Sequence, residues 1–389
     1  MKGKTILIVL ILLTLIFAGF LAVRNYLLPK MSGENVSLIN ILIPRREAIG
    51  FLPYWLISRA QSDYSKYITT LTYFSLTVDG DGTIQKYTNP GESEPGYLAL
   101  NNGKINPFLD SARQKGVDLS LAVFSGNDET ITKMLENPET SAKKLIREVT
   151  PIMEKYGFTD LNLDIEQVKE ASPEARAKFT RFIQAVKNNL DVKRVKSLSI
   201  DITASAFIKK TNLCDPIALT PLVDKVILMA YDYHYVGSYV TGPVAPEGGA
   251  GTVSEFDTRT AVEAALEMVP PKKLILGVPL YGYGWETIGS IPRSAVIPGS
   301  GFVISNAKAE NLLSSCATCS AEFDDIDKEN HIIYKDQDTG TYYQIFYPDK
   351  QAAQYKVNLA KEQSLGGIAL WALGYEGKTI LDPLSSYHN

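Results

Sequence analysis

Apolar positions along the chain gather into eight short runs rich in β-branched and aliphatic residues: 47–52 (EAIGFL), 71–78 (LTYFSLTV), 117–124 (VDLSLAVF), 160–166 (DLNLDIE), 197–204 (SLSIDITA), 224–231 (DKVILMAY), 273–280 (KLILGVPL) and 366–371 (GGIALW). Such runs read as buried strands. Between them the apolar spacing shifts to a helical period over 139–155, 173–190 and 258–268. Strands that alternate with helices imply right-handed crossovers and a parallel sheet. Eight such units in roughly 340 residues predict an α/β fold, a closed (β/α)8 barrel, with an open doubly wound sheet as the alternative.

Two stretches break this rhythm. Between Trp285 and about Tyr347 lie polar, Tyr-rich strand-like pieces, 331–335 (HIIYK) and 341–347 (TYYQIFY), in a gap too long for one crossover. A small α+β insertion over 286–346, between the seventh and eighth strands, accounts for it better than a structureless loop. At the amino terminus, Lys2 and Lys4 precede an uncharged, mostly apolar run from Thr5 to Val23 that ends at Arg24. That length suits a transmembrane helix over 1–24, followed by an irregular tether over 25–46 and the barrel over 47–389. A cleaved signal peptide is the rival reading, although no convincing small-x-small site follows the run. Either reading places the folded domain outside the cytoplasm, anchored to the membrane in the first case and secreted in the second.

Composition narrows the partners. A net charge of −4 with no long basic stripe excludes a nucleic-acid-binding surface. The three cysteines, Cys214, Cys316 and Cys319, give one lone C-x-x-C without histidines at zinc-ligand spacing, so no metal is expected. A disulfide is permitted in an extracytoplasmic domain. Tyr and Trp beside Gly or Pro lean weakly toward a surface that meets sugar rings.

The segment Thr159 to Glu166 carries the chemistry. On a strand, Leu161, Leu163 and Ile165 share the face that packs on helices, and Asn162, Asp164 and Glu166 share the other. In a barrel that second face is the interior, where a row of polar groups is costly unless it reaches the open carboxyl-terminal mouth. Glu166 would lie nearest the mouth. Asp164 and Glu166 also repel as like charges, which raises the pKa of one and keeps it protonated, as a general acid requires. A solvated strand edge or a structural hydrogen-bond network is the alternative. Ser199, Asp201 and Thr203 alternate in the same way on the fifth strand, where barrel-core hydrogen bonding explains them equally well.

This segment resembles the fourth-strand signature D-x-x-D-x-D-x-E of the family 18 glycoside hydrolases, which are chitinase-like. Asp164 and Glu166 match it, whereas Asn162 and Thr159 stand where the family carries Asp. Asn162 retains the ability to hydrogen-bond Asp164 but cannot exchange a proton with it. Other segments match in order: Gly50-Phe51 through Trp55 on the first strand, with Phe51 in place of a frequent Tyr; Met229-Ala230-Tyr231-Asp232 on the sixth; Gly277 to Gly282, read as a turn with Tyr281 and then Trp285, on the seventh; and Gly366 through Trp371 on the eighth.

The resemblance implies a TIM barrel that hydrolyses β-linked N-acetylglucosamine polymers, chitin or peptidoglycan, with the bacterial spore-cortex branch nearest in character. It implies a retaining mechanism in which the substrate acetamide is the nucleophile. Glu166 would be the acid and base, Asp164 would orient the acetamide and stabilise positive charge, and Tyr231 would bond the acetamide oxygen. Asn162, Asp232, Trp371, Met229, Phe51 and Tyr281 would contact substrate, with Trp371 as the floor. No cofactor is implied, and the protein is expected to act as a monomer. The rival functions are a catalytically silent, carbohydrate-binding lectin of the same fold and a structural tether at the envelope.

Overall fold

In the computed structural model of the protein the described residues are 46–317 and 319–387. The expected transmembrane helix and all of the tether but Arg46 lie outside them. Among the described residues no helix is long and apolar enough to cross a membrane.

Eight parallel strands close into a barrel: β1 (Glu47–Pro53), β2 (Thr70–Thr77), β5 (Asp118–Ser125), β6 (Asp160–Ile165), β7 (Ser197–Thr203), β8 (Lys225–Met229), β9 (Leu274–Pro279) and β15 (Gly367–Trp371). Each coincides with one of the predicted runs to within a few residues, and β1 closes on β15 through Gly50↔Leu370. A short ribbon, β3 (Tyr87–Asn89) and β4 (Glu92–Ser93), follows β2.

The helices Pro138–Tyr156 and Pro173–Asn189 flank β6 and explain how it is aimed. Gly157, at φ 71°, ends the first helix in the left-handed conformation that glycine adopts without steric cost. The Ser172 hydroxyl caps the second by accepting from the amide of Ala175. Leu161, Leu163 and Ile165 are buried with Leu145, Val149, Phe179 and Ile183 from these helices. Burial of each such side chain contributes about 1.5–3 kcal/mol, so the register that turns Asn162 and Asp164 inward is strongly set.

A second sheet, in the order β11-β10-β14-β13-β12, comprises β10 (Tyr281–Thr287), β11 (Phe302–Ser305), β12 (Ala321–Phe323), β13 (Asn330–Lys335) and β14 (Tyr342–Tyr347), with the helix Asn306–Ser315 packed on β11. It starts at Tyr281, before the expected boundary at 286. The segment read as a turn is instead a strand end, one bend at Leu280, and a new strand. Alternating glycines make this possible: a Cβ on Gly282 would sit 2.0 Å from the carbonyl oxygen of Phe346 on β14. Cys316 and Cys319 form a disulfide after that helix, and Cys214 is free and buried.

Candidate active site

The barrel interior changes character along its axis. At the amino-terminal end Lys225 pairs with Glu47 at 2.8 Å and Asp160 at 3.4 Å, and Asp160 also accepts from Ser120 and Ser199. Its middle is apolar on most strands, with Ile49, Ala122, Ile227, Ile275 and Ala369 in one cluster. At the carboxyl-terminal mouth lies a cavity of about 380 Å³ lined by Asp164, Glu166, Asp201, Met229, Tyr231, Asp232, Phe51 and Trp371. A second cavity of about 640 Å³ shares Glu166, Met229, Tyr231 and Asp232 and runs toward Tyr233, Tyr235 and Phe256. These four shared residues therefore stand where the two halves of one cleft meet.

Glu166 is the first residue beyond β6, its amide still bonded to the carbonyl of Ser125. Burial raises its carboxyl pKa, and Asp232 adds to the rise. Asp164 is 4 % exposed. Its pKa is driven well up by burial, then by Asp201 and by Glu166. Tyr231 keeps its proton because burial and the nearby carboxyls, Asp201 foremost, oppose the phenolate. A Cβ on Gly277 would come within 2.9 Å of the Tyr231 ring, so the glycine of β9 makes room for that side chain.

Asp232 follows at φ 61°, a left-handed backbone that Asp tolerates better than most residues. Tyr281 donates to its Oδ1 at 2.5 Å and Tyr283 at 2.9 Å. Surrounding protein raises the Asp232 pKa, and these two hydroxyls oppose the rise. On the opposite wall Trp371 stands edge-on to Phe74 at 4.6 Å and Phe51 at 5.8 Å, and exposed Trp55 lies 6.4 Å away.

Seven of the nine predicted site residues line this cleft, and two do not. Tyr281 is buried behind Asp232 and reaches the cleft only through its hydroxyl bond. Asn162 is buried below it, and its amide donates to Asp201 at 2.8 Å and Ser199 at 3.2 Å, with no bond to Asp164. The expected Asn162–Asp164 contact is thus replaced by one across strands, to Ser199, the register partner of Asn162 on β7, and to Asp201 two residues further on. The cavity is also lined by Tyr54, Thr77, Glu94 and Phe124, which the sequence did not single out. Glu94 is buried, caps the helix Pro95–Asn101 and accepts from Thr77. The sequence signal for it was a Glu just before a Pro at a helix start.

A parallel barrel whose acidic residues and aromatic wall converge at the carboxyl ends of its strands has the layout of a barrel enzyme. Relatives narrow the class. The family model for glycosyl hydrolases family 18 matches residues 47–376, and the chain belongs to that family. It is 27 % identical over 314 residues to the cortical fragment-lytic enzyme of Bacillus anthracis, a match covering 79 % of this chain and 65 % of that protein. The enzyme of the same name from Bacillus subtilis (strain 168) is 28 % identical over 321 residues, covering 82 % and 67 %. The chain thus spans about two thirds of the length of these relatives. Among solved structures, the spore cortex-lytic enzyme SleL of Bacillus cereus superposes with a TM-score of 0.70 at 22 % identity, covering 89 % of this chain and 75 % of the other.

Proposed function

We propose that the protein is a retaining glycosidase that cleaves β-linked N-acetylglucosamine in an envelope polysaccharide, with peptidoglycan as the polymer and Glu166 as general acid and base. The observation that carries this reading is Glu166 itself, a carboxyl with a raised pKa at the junction of two cavities. An acid there meets the oxygen of a bond that spans both halves of the cleft. Glu166 protonates that oxygen while the C2 acetamide oxygen attacks the anomeric carbon; the C–O bond breaks and an oxazolinium ring forms. Asp164 orients the acetamide and stabilises the positive charge, and the Tyr231 hydroxyl donates to the acetamide oxygen. Trp371 supplies the apolar floor with Phe51 behind it, and Met229 and Asp232 complete the walls. Water, deprotonated by Glu166, then opens the ring with net retention. No cofactor enters this sequence.

Relatives named cortical fragment-lytic enzyme match over more of this chain than those named chitinase, 79–82 % against 72–74 %, and the choice of peptidoglycan rests on them. Chitin presents the same acetamide, so the chemistry of β6 serves either polymer. An uncleaved helix over 1–24 would hold the enzyme, as a monomer, at the outer face of the membrane. The test is hydrolysis of purified peptidoglycan and of N-acetyl-chitooligosaccharides by the full-length chain and by Glu166→Gln, with products identified by mass. The expected result is release of N-acetylglucosamine-containing fragments that falls about 10²–10⁴-fold in the variant. Saccharide binding without turnover by either protein would favour the lectin reading.

A further inference from the structure

Three carboxyls, Asp164, Asp201 and Glu166, crowd the mouth of the barrel with Asp232 at its rim, and Lys225 is committed elsewhere, to Glu47 and Asp160 at the far end of the interior. Asp201 comes from β7. The register Leu163↔Ile200 between β6 and β7 brings the next residues, Asp164 and Asp201, to one level on the inward face. Both line the same cavity and both are buried, Asp164 at 4 % and Asp201 at 5 % exposure. Their hydrogen bonding differs. Oδ1 of Asp201 accepts from the Asn162 amide at 2.8 Å. Oδ1 of Asp164 is buried with no partner among the described residues.

We propose that Asp201 is a positioning residue that sets the charge of Asp164: the two carboxyls hold a single proton, with Asp201 the ionised member, pinned by Asn162, and Asp164 the neutral one. The reason is local. Two buried like charges at one level cannot both ionise near neutrality, so one keeps its proton. A donor held against a carboxylate favours its charged form, and a buried carboxyl oxygen without a donor favours the neutral form. Asn162 therefore decides which carboxyl is which. It stands at a position where the family signature carries Asp, and the second carboxyl is supplied by the neighbouring strand instead.

This inference rests on the proposed glycosidase reading for its consequence. A neutral Asp164 offers an O–H to orient the substrate acetamide, and the pair as a whole keeps one negative charge to stabilise the oxazolinium ion. Other groups facing Asp201 fit the arrangement. Asp160 on β6, paired with Lys225 of β8, and Glu166 both add negative potential at Asp201, Glu166 adds it at Asp164 as well, and Tyr231 stays protonated, which together reinforce the single-proton state. Cys214 stays a thiol, its pKa pushed up to about 12 by burial.

The test is Asp201→Asn, which keeps an oxygen to accept from Asn162 and removes the titrating group. Removal of the like charge lowers the Asp164 pKa, so Asp164 ionises and loses its O–H at lower pH. The alkaline limb of the kcat/KM profile should move down by about one pH unit or more, and kcat at neutral pH should fall about tenfold, with KM within about twofold. Carboxyl-carbon NMR of the full-length chain, with Asp164 assigned by its disappearance in Asp164→Asn, should show the same downward shift in Asp201→Asn without any substrate. An Asp164 titration that does not move, or a variant with unchanged kcat and pH profile, overturns the proposal. If wild type hydrolyses neither polymer the glycosidase reading fails, and the NMR titration still decides whether the pair shares its proton.

Discussion

The strand β6 delivers a carboxyl to each end of the barrel interior, and the two ends treat it differently. Asp160 meets a cation, Lys225, and two serine hydroxyls, and the group is closed on itself. Asp164, four residues on, meets two more carboxyls and leaves one oxygen unpartnered. Lys225 stays charged because Asp160 and Glu47 outweigh the cost of its burial. The amino-terminal end is an ion cluster in which one cation offsets much of the charge of two carboxyls, and it serves folding. At the carboxyl-terminal end uncompensated charge is stored as raised carboxyl pKa values, the condition acid–base chemistry needs. The same side chain on the same strand is structural or chemical according to whether the neighbouring strand offers it an ammonium or an acid.

The largest expected effect breaks the compensated end. Lys225→Met leaves Asp160 buried and Glu47 half-buried without a counter-charge, and it should cost about 3 kcal/mol in urea unfolding. Burial already raises the Glu47 pKa against the pull of Lys225. Loss of the cation raises it further, so the folded state holds a proton that the unfolded chain releases. The loss of stability should therefore grow from pH 5 to pH 8. An equal loss at both values would mean that the lysine acts through packing alone.

The opposite sign is expected at the mouth. The Glu166 pKa is raised in the folded state, so its contribution to stability is fully present below the unfolded glutamate pKa and is lost as pH rises through the folded value. Glu166→Gln removes that dependence. Alongside its loss of turnover it should be more stable than wild type at pH 8, by on the order of 1 kcal/mol, and closer to wild type at pH 5. Thermal melts at the two pH values measure this, and a variant less stable at pH 8 would show Glu166 to be a net structural contributor.

How much of this contrast was legible in the sequence depends on the distance over which it is encoded. The eight strands were readable because strands covered on both faces are apolar runs, as in VILM at 226–229. The inward row Asn162, Asp164, Glu166 was readable because alternation is local. Contacts between strands were not. Nothing in residues 160–166 says that Asn162 turns to Asp201 on β7 and leaves Asp164 alone, since that choice depends on a partner 39 residues away. The aromatic wall was half legible: Phe51 and Trp371 stand in motifs, but Phe74 and Phe124 are ordinary strand aromatics until the barrel closes and brings Phe74 to Trp371. The place of Tyr281 behind Asp232 was not legible for a related reason, because the strand it opens after the bend at Leu280 pairs with β11 and β14, far along the chain.

That bend sets up the smallest and sharpest comparison, between two tyrosines on one carboxylate. Tyr281 and Tyr283 both donate to Oδ1 of Asp232, so Tyr281→Phe leaves one donor in place. Hydrogen bonds to the charged form hold the Asp232 pKa down against burial. With one lost the pKa rises, and at a given pH less of Asp232 is ionised. If the carboxylate is what meets a sugar hydroxyl or the acetamide, KM should rise about two- to fivefold at low pH and return toward wild type as rising pH ionises Asp232 in both proteins, with kcat little changed. A KM defect of the same size across the pH range would instead mean that Tyr281 supports the left-handed backbone at Asp232 rather than its charge, and Asp232 would then belong with Asp160 among the structural carboxylates.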